Sequence, residues 1–148
     1  MTKFSRDKGA LFEREIGNFL HEELGIRFER DLEQYRKADR GDLIPRDPAF
    51  PFLIECKRRG KGFSCETAWR QQASTAALAA RKIPAVIFRY DNKPTRVSVP
   101  LRAFCEAWPM DQWAEITLPG FCFIVREIMA DAAGEWGQDR ISISEATA

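Results

Sequence analysis

The sequence has too few histidines and too widely spaced cysteines for several common kinds of site. It contains one histidine, His21, and four cysteines that form no Cys-x-x-Cys pair. A single histidine cannot by itself support a histidine-bound metal or a Ser-His-Asp triad. Isolated cysteines argue against a zinc ribbon and against a disulfide scaffold. The phosphate-binding pattern GxxxxGK[ST] is also missing, so we expect no nucleotide cofactor.

Excess charge and long apolar runs are missing as well. The 148 residues carry 23 Lys+Arg and 22 Asp+Glu, a net charge of +1, so any basic surface must be local. No apolar run approaches the ~20 residues that span a bilayer. The first ten residues, MTKFSRDKGA, lack the apolar core of a signal peptide. We therefore expect no membrane partner and a cytoplasmic location, in a bacterial, archaeal or phage-infected cell.

Hydrophobic periodicity predicts an α/β fold with a mixed central sheet flanked by helices. Helices are predicted over 8–24 and 64–82, the second capped by Ser64. Strands are predicted over 26–30, 41–44, 50–57, 85–90 and 96–99. Further along, the pattern predicts a short helix over 101–108 and a hairpin of 113–118 with 121–126. We expect one domain over 1–130 and a tail over 131–148.

The strand over 50–57 carries the first candidate for chemistry. Because side chains alternate along a strand, Glu55 and Lys57 share one face, while Ile54 and Cys56 lie on the other. Such a Glu-x-Lys pair at a strand end is most often a simple surface ion pair. A functional interpretation of this pair requires other charged groups close to it.

Two further acids are placed to converge on that strand end. Asp42 begins a short strand thirteen positions before Glu55, and Glu13 lies within the apolar arc of the first helix. A carboxylate at such a helix position is costly unless it is paired or binds a metal. Three clustered carboxylates would suit a hard cation such as Mg²⁺, which prefers oxygen ligands. The alternatives are a turn-forming aspartate and a glutamate at the edge of the core.

The segments KGALFERE (8–15), GDL and IECK together resemble the PD-(D/E)xK nuclease superfamily, and most closely the archaeal-type and phage Holliday junction resolvases. The resemblance implies a restriction-endonuclease-like core of order α-β-β-β-α-β. It also implies a Mg²⁺-dependent DNA endonuclease (Mn²⁺ being an alternative metal) that acts as a homodimer on branched DNA in recombination or repair. In one departure, Gly41 replaces the usual proline before Asp42, which leaves Asp39 as a weaker competitor for that role.

The resemblance also implies roles for individual residues. Asp42 and Glu55 would bind the metal, with the Cys56 carbonyl as an extra oxygen. Glu13 would lie near the metal, directly or through water, and Lys57 would be the catalytic lysine. Gln72, on the second helix, would lie near the active site, although a glutamine at the core edge bonded to backbone is an equally good interpretation.

Basic side chains surround the predicted site in the sequence. Arg58, Arg59 and Lys61 follow Lys57 directly, while Lys8, Arg36, Lys37 and Arg40 precede the other motifs. Individually such residues are usually solvated, but together they predict sequence-tolerant contacts with DNA phosphates. Phe63 and Trp69 could stack on bases, although packing in the core is the favoured interpretation of both.

Two other functions remain compatible with these motifs. One is a nuclease of the same fold that acts on a different DNA substrate in phage recombination, repair or restriction. The other is a non-catalytic DNA-binding subunit that keeps the fold without turnover.

Overall fold

The computed structural model describes residues 2–31 and 41–132, and in those ranges it has three α-helices and one six-stranded sheet. The helices are α1 (Lys3–Leu24), α2 (Thr67–Ala80) and α3 (Leu118–Ala132). The strands are β1 (Phe28–Arg30), β2 (Leu43–Pro45), β3 (Phe52–Arg59), β4 (Ile83–Tyr90), β5 (Arg96–Pro100) and β6 (Trp113–Thr117). The spatial order is β1-β2-β3-β4-β5-β6, and only β3 and β4 run parallel. The predicted α-β-β-β-α-β order and mixed sheet are confirmed.

Local signals define the ends of α1. The hydroxyl of Thr2 accepts the backbone N–H of Ser5 at 3.2 Å, which caps the first turn five residues before the predicted start. Gly25 ends the helix in the left-handed conformation with φ 71°, as its position predicts. Between these ends, Phe12, Ile16 and Leu20 recur every four residues and are buried. One stripe of α1 is therefore held against the sheet.

The two faces of the sheet are covered by different helices. On one face, α1 and α3 pack on a core that includes Phe52, Ile54 and Ile87. On the other face, α2 packs over the side chains of β3 and β4 through Trp69, Ala73, Ala76 and Ala77. The central strand β3 alternates between the two cores, so Glu55 and Lys57 share one face, as predicted, and that face is the one covered by α2.

The predicted hairpin near the C-terminal end of the domain is wrong. Residues 113–117 form β6 as expected, but the chain then continues as α3 rather than as a returning strand. The Thr117 hydroxyl accepts the N–H of Gly120 at 3.1 Å, and Pro119 in the first turn has no N–H to leave unsatisfied. Pro-Gly thus begins a helix here. The buried residues Leu118, Phe121, Cys122 and Val125 follow a helical spacing.

Two smaller helix predictions also need correction. Over 101–108 the structure has only a short 3₁₀ helix, Leu101–Ala103, because no buried stripe extends it. Ser64 does not cap α2: the helix begins at Thr67, and the Ser64 carbonyl instead accepts the Tyr90 hydroxyl at 2.6 Å. Helix α3 extends through Ala132, and the rest of the predicted tail, 133–148, lies outside the described residues. In the described part of the chain, no helix is both long and apolar enough to cross a bilayer.

Candidate active site

A polar cleft of about 300 Å³ opens where the first turns of α1 meet β2, β3 and α2. It contains all five side chains that the sequence analysis predicted to be catalytic. The lining residues are Ser5, Arg6, Gly9, Ala10, Glu13, Arg30, Asp42, Glu55, Cys56, Lys57, Arg58, Arg59 and Gln72. The structure therefore brings together residues that lie up to about sixty positions apart in the sequence.

Two backbone hydrogen bonds hold Asp42 against β3. Its own N–H donates to the Ile54 carbonyl at 2.8 Å, and its Oδ2 accepts the N–H of Cys56 at 2.6 Å. These bonds lie on either side of Glu55 along β3, and the side chains of Asp42 and Glu55 both line the cleft. Asp42 is only 7% exposed and Glu55 only 2% exposed. Burying such acids together is costly unless counter-charges compensate them.

The same backbone contact explains why glycine precedes Asp42. A Cβ atom built on Gly41 would overlap with the carbonyl oxygen of Ile54, which is the acceptor for the Asp42 N–H. Proline also has a Cβ, so the residue usual at this position in the resembled superfamily would collide with β3. The departure from that motif is a consequence of how closely the chain crosses β3.

We expect the Gly41→Ala variant to lower the free energy of unfolding by ~1–3 kcal/mol, because an overpacked Cβ displaces the backbone of β3 or of Asp42. Urea denaturation measures this loss. Gly9→Ala is the control, since no atom lies within 4 Å of the new methyl group. Replacing glycine inside helix α1 should raise stability by ~0.5–1 kcal/mol. Equal stability of Gly41→Ala and wild type would contradict the close approach of Gly41 to the backbone of β3.

Glu13 enters the cleft from α1 and is paired with a residue that the sequence analysis missed. Its Oε2 accepts the Nε–H of Arg30 at 2.8 Å. Burial raises the pKa of Glu13 above its ordinary value and the charge of Asp42 adds to the rise, while the Arg30 hydrogen bond opposes it. The effect of burial on the pKa of Glu13 is larger than the opposing effect of Arg30. The ionised form of Glu13 therefore costs stability in the metal-free protein.

We therefore predict that the effect of Glu13→Gln on folding stability, measured in EDTA, depends on pH. A raised carboxyl pKa means that the folded state binds more protons, so the wild type loses stability as pH rises from the ordinary glutamate value of 4.5 through the raised value. Glutamine cannot ionise and can still accept from Arg30. The stability of Glu13→Gln relative to wild type should therefore increase over that interval. A relative stability that decreases would mean that Arg30 outweighs burial.

Lys57 and Gln72 are a hydrogen-bonded pair that also lines the cleft. The Lys57 ammonium donates to the Gln72 Oε1 at 2.8 Å. Gln72 is exposed on α2, and this contact is with a side chain rather than with the backbone partner considered as the alternative. The hydrogen bond thus fixes the position of the Lys57 ammonium relative to α2.

The predicted DNA-binding residues occupy different environments. Arg58 and Arg59 line the cleft, whereas Lys8 and Lys61 do not. Asp91 binds both Lys8 at 2.6 Å and Arg58 at 2.7 Å, and these hydrogen bonds lower the pKa of Asp91. Arg36, Lys37 and Arg40, as well as the competing Asp39, lie outside the described residues.

The two candidate stacking residues differ in exposure. Trp69 is buried, and its ring contacts Phe88 and Tyr90 in the core under α2. Phe63 is 86% exposed, so its predicted place in the core is wrong. It lies in the segment between β3 and α2, where no helix covers it.

The donor set of the cleft suits a hard divalent cation, although not as a site of three side chains. No group of three or more His, Cys, Asp or Glu side chains within 2–31 and 41–132 is arranged to hold a metal ion. Burial raises the pKa of the Cys56 thiol, and the charges of Asp42, Glu13 and Glu55 add to the rise, so all three carboxylates act on this residue of β3. Two carboxylates, a backbone carbonyl and water are a sufficient oxygen set for Mg²⁺.

Comparison with known proteins agrees with this geometry. Residues 4–127 match the family described as "Phage putative PDDEXK endonuclease". The chain belongs to this family. The match covers α1, the whole sheet and most of α3, and therefore includes every residue of the cleft. Membership of the PDDEXK endonuclease family accounts for the confirmed fold class and assigns the chain to nucleases.

Two other comparisons are less informative. The chain is similar in structure to Hjc of Archaeoglobus fulgidus, a Holliday junction resolvase from an archaeal hyperthermophile, with 17% identity and a TM-score of 0.48. That similarity covers 74% of this chain and 86% of the other. No curated protein sequence matches the chain.

Two arginines that line the cleft are not among the predicted DNA-binding residues. Arg6 lies in the first turn of α1, which was predicted to begin later, and Arg30 ends β1. The alternation over 26–30 places Arg30 on one face of its strand, but nothing local indicates which helix that face meets. The partner of Arg30, seventeen residues earlier on α1, is a product of the tertiary fold.

Proposed function

We propose that this PDDEXK endonuclease hydrolyses DNA phosphodiester bonds with a divalent metal ion, Mg²⁺, for which Mn²⁺ is an alternative. The observation that carries the proposal is the placement of Asp42, through its hydrogen bond with Cys56, beside Glu55 and Lys57 in one polar cleft. Glu55 and Lys57 within β3, together with Asp42 just before β2, provide both a cation site and a positive group for a phosphate. The expected products have 5′-phosphate and 3′-hydroxyl ends.

The proposed roles of the cleft residues follow from their charges. Asp42, Glu55 and the Cys56 carbonyl would hold the cation, and Glu13 would act on it directly or through water. Once bound, such an ion would supply an activated water and stabilise charge developing on the phosphate. Lys57, oriented by Gln72, donates to the phosphate oxygens, where charge increases in the transition state. Arg58 and Arg59 bind neighbouring phosphates without reading sequence.

For the substrate we propose branched DNA, cut by a homodimer in the cytoplasm. The support is the joint order of KGALFERE, GDL and IECK, which is the pattern of junction resolvases. In a two-fold symmetric dimer, two identical clefts would face two opposed strands of a junction. Such a dimer cuts both strands at equivalent positions.

Cleavage of a labelled four-way junction and a matched linear duplex, each with Mg²⁺ or with EDTA, tests the proposal. We expect paired, symmetric nicks near the branch that require the metal. If only the linear duplex were cut, the proposed nuclease activity would stand and the proposed preference for branched DNA would be rejected. Tight DNA binding without cutting of any substrate would favour the non-catalytic subunit instead.

A further inference from the structure

Phe63 is an exposed aromatic residue on a segment that is otherwise firmly held. Residues 60–66 connect β3 to α2, and both ends of this connection are tied to the domain. The Gly60 carbonyl accepts the N–H of Asp91 at 3.0 Å, and the Ser64 carbonyl accepts the Tyr90 hydroxyl at 2.6 Å. The N–H of Cys65 donates to Glu115 at 2.7 Å. The exposure of Phe63 is therefore a property of an ordered segment.

The backbone next to Phe63 also requires glycine. Gly62 has φ 153°, a conformation that residues with a side chain rarely adopt, and a Cβ there would overlap with the Tyr90 ring. The chain thus passes directly over Tyr90 and then turns Phe63 away from the core. With 86% of its surface exposed, the phenyl ring contributes little to the hydrophobic core.

A cationic side chain lies over the Phe63 ring. The ammonium of Lys93, in the turn between β4 and β5, lies 3.4 Å from the centre of the ring. This contact covers one face of the ring, and the side chain as a whole stays exposed to solvent. The same turn contains Asp91, which binds the cleft residue Arg58 at 2.7 Å, so this turn connects the Phe63–Lys93 pair to a residue that lines the cleft.

We propose that Phe63 stacks on an unstacked nucleobase of the DNA and so favours substrates whose base stacking is interrupted. The inference rests on the proposed function. An exposed aromatic ring with a lysine beside it suits exposed bases, because every base offers a π-face and the positive charge attracts a flanking phosphate. A continuous duplex keeps its bases stacked and offers no partner for the ring. A branch point does offer one.

The test compares Phe63→Ala with wild type in EDTA, on a four-way junction that carries 2-aminopurine at the branch and on a linear duplex that carries the same probe. We expect Phe63→Ala to bind the junction roughly ten-fold more weakly, with unchanged affinity for the duplex. Wild type should quench the probe in the junction by stacking on it, and Phe63→Ala should not. Phe63→Trp should restore both the affinity and the quenching.

Phe123→Ala is the matched control. Phe123 is also exposed, at 62%, but it lies on α3 beside Glu127 and Asp131, outside the cleft. It should bind both DNAs as wild type does. Equal junction affinity and equal quenching by wild type and Phe63→Ala would overturn the inference, as would an equal loss on both DNAs. A wild-type protein that binds neither DNA would instead overturn the proposed function.

Discussion

The Asp42→Asn variant is expected to keep its fold and to cleave DNA about a thousand-fold more slowly than wild type. Asparagine has nearly the same shape, and its amide oxygen can still accept the N–H of Cys56, which now bonds to Asp42 at 2.6 Å. The variant lacks only the negative charge that we assign to cation binding. Single-turnover cleavage in saturating Mg²⁺, together with thermal unfolding, measures both properties.

Asp47→Asn provides a matched control for this variant. Asp47 also accepts a backbone N–H with its carboxylate, from Ala49 at 2.9 Å, but it lies outside the cleft. It should cleave at the wild-type rate. Near-normal cleavage by Asp42→Asn would reject Asp42 as a metal ligand and make Asp39 the next candidate. A large drop in its melting temperature would show instead that the charge is structural.

The second large effect is expected from Lys57→Met, which retains an unbranched side chain but removes the ammonium group. We expect kcat to decrease by about 10²–10³-fold, as when a single donor to a developing charge is removed. Gln72→Ala should have a smaller effect, about ten-fold, because Gln72 acts by positioning Lys57. The double variant should be no slower than Lys57→Met, since the two residues act as one unit.

Lys61→Met tests whether this effect is specific. Lys61 follows the same strand and is exposed, but it does not line the cleft. Its loss should weaken DNA binding slightly at low salt and leave kcat unchanged. Additive effects of the Lys57 and Gln72 substitutions would contradict the positioning role of Gln72. If Lys57→Met and Lys61→Met lowered kcat equally, Lys57 would be a general phosphate contact and not a specific catalytic residue.

The elements predicted from the sequence are those with strong local signals. Helix α1 has a buried four-residue repeat and a glycine stop, and β3 alternates between two cores, so both are predictable from neighbouring residues. Helix α3 was misjudged because Pro119-Gly120 is typical of turns as well as of first helical turns. The helical spacing of Phe121, Cys122 and Val125 was nevertheless present in the sequence, and it was the better signal.

For the candidate site, the sequence alone is enough to identify the available residue types and their order. Glu13 interrupts the apolar arc of its helix, and Asp42, Glu55 and Lys57 belong to the short motifs at the ends of predicted strands. All four line one cleft. Their functional roles stay predictions until the variants are measured.

The pairing of these groups follows from the tertiary fold. The Glu13–Arg30 ion pair, the Lys57–Gln72 hydrogen bond and the exposure of Phe63 depend on how α1, β1 and α2 meet β3. Such contacts join residues fifteen or more positions apart on different elements. Local periodicity indicates which face of an element is buried, but not which side chain of another element lies opposite, because that depends on the packing of the whole chain.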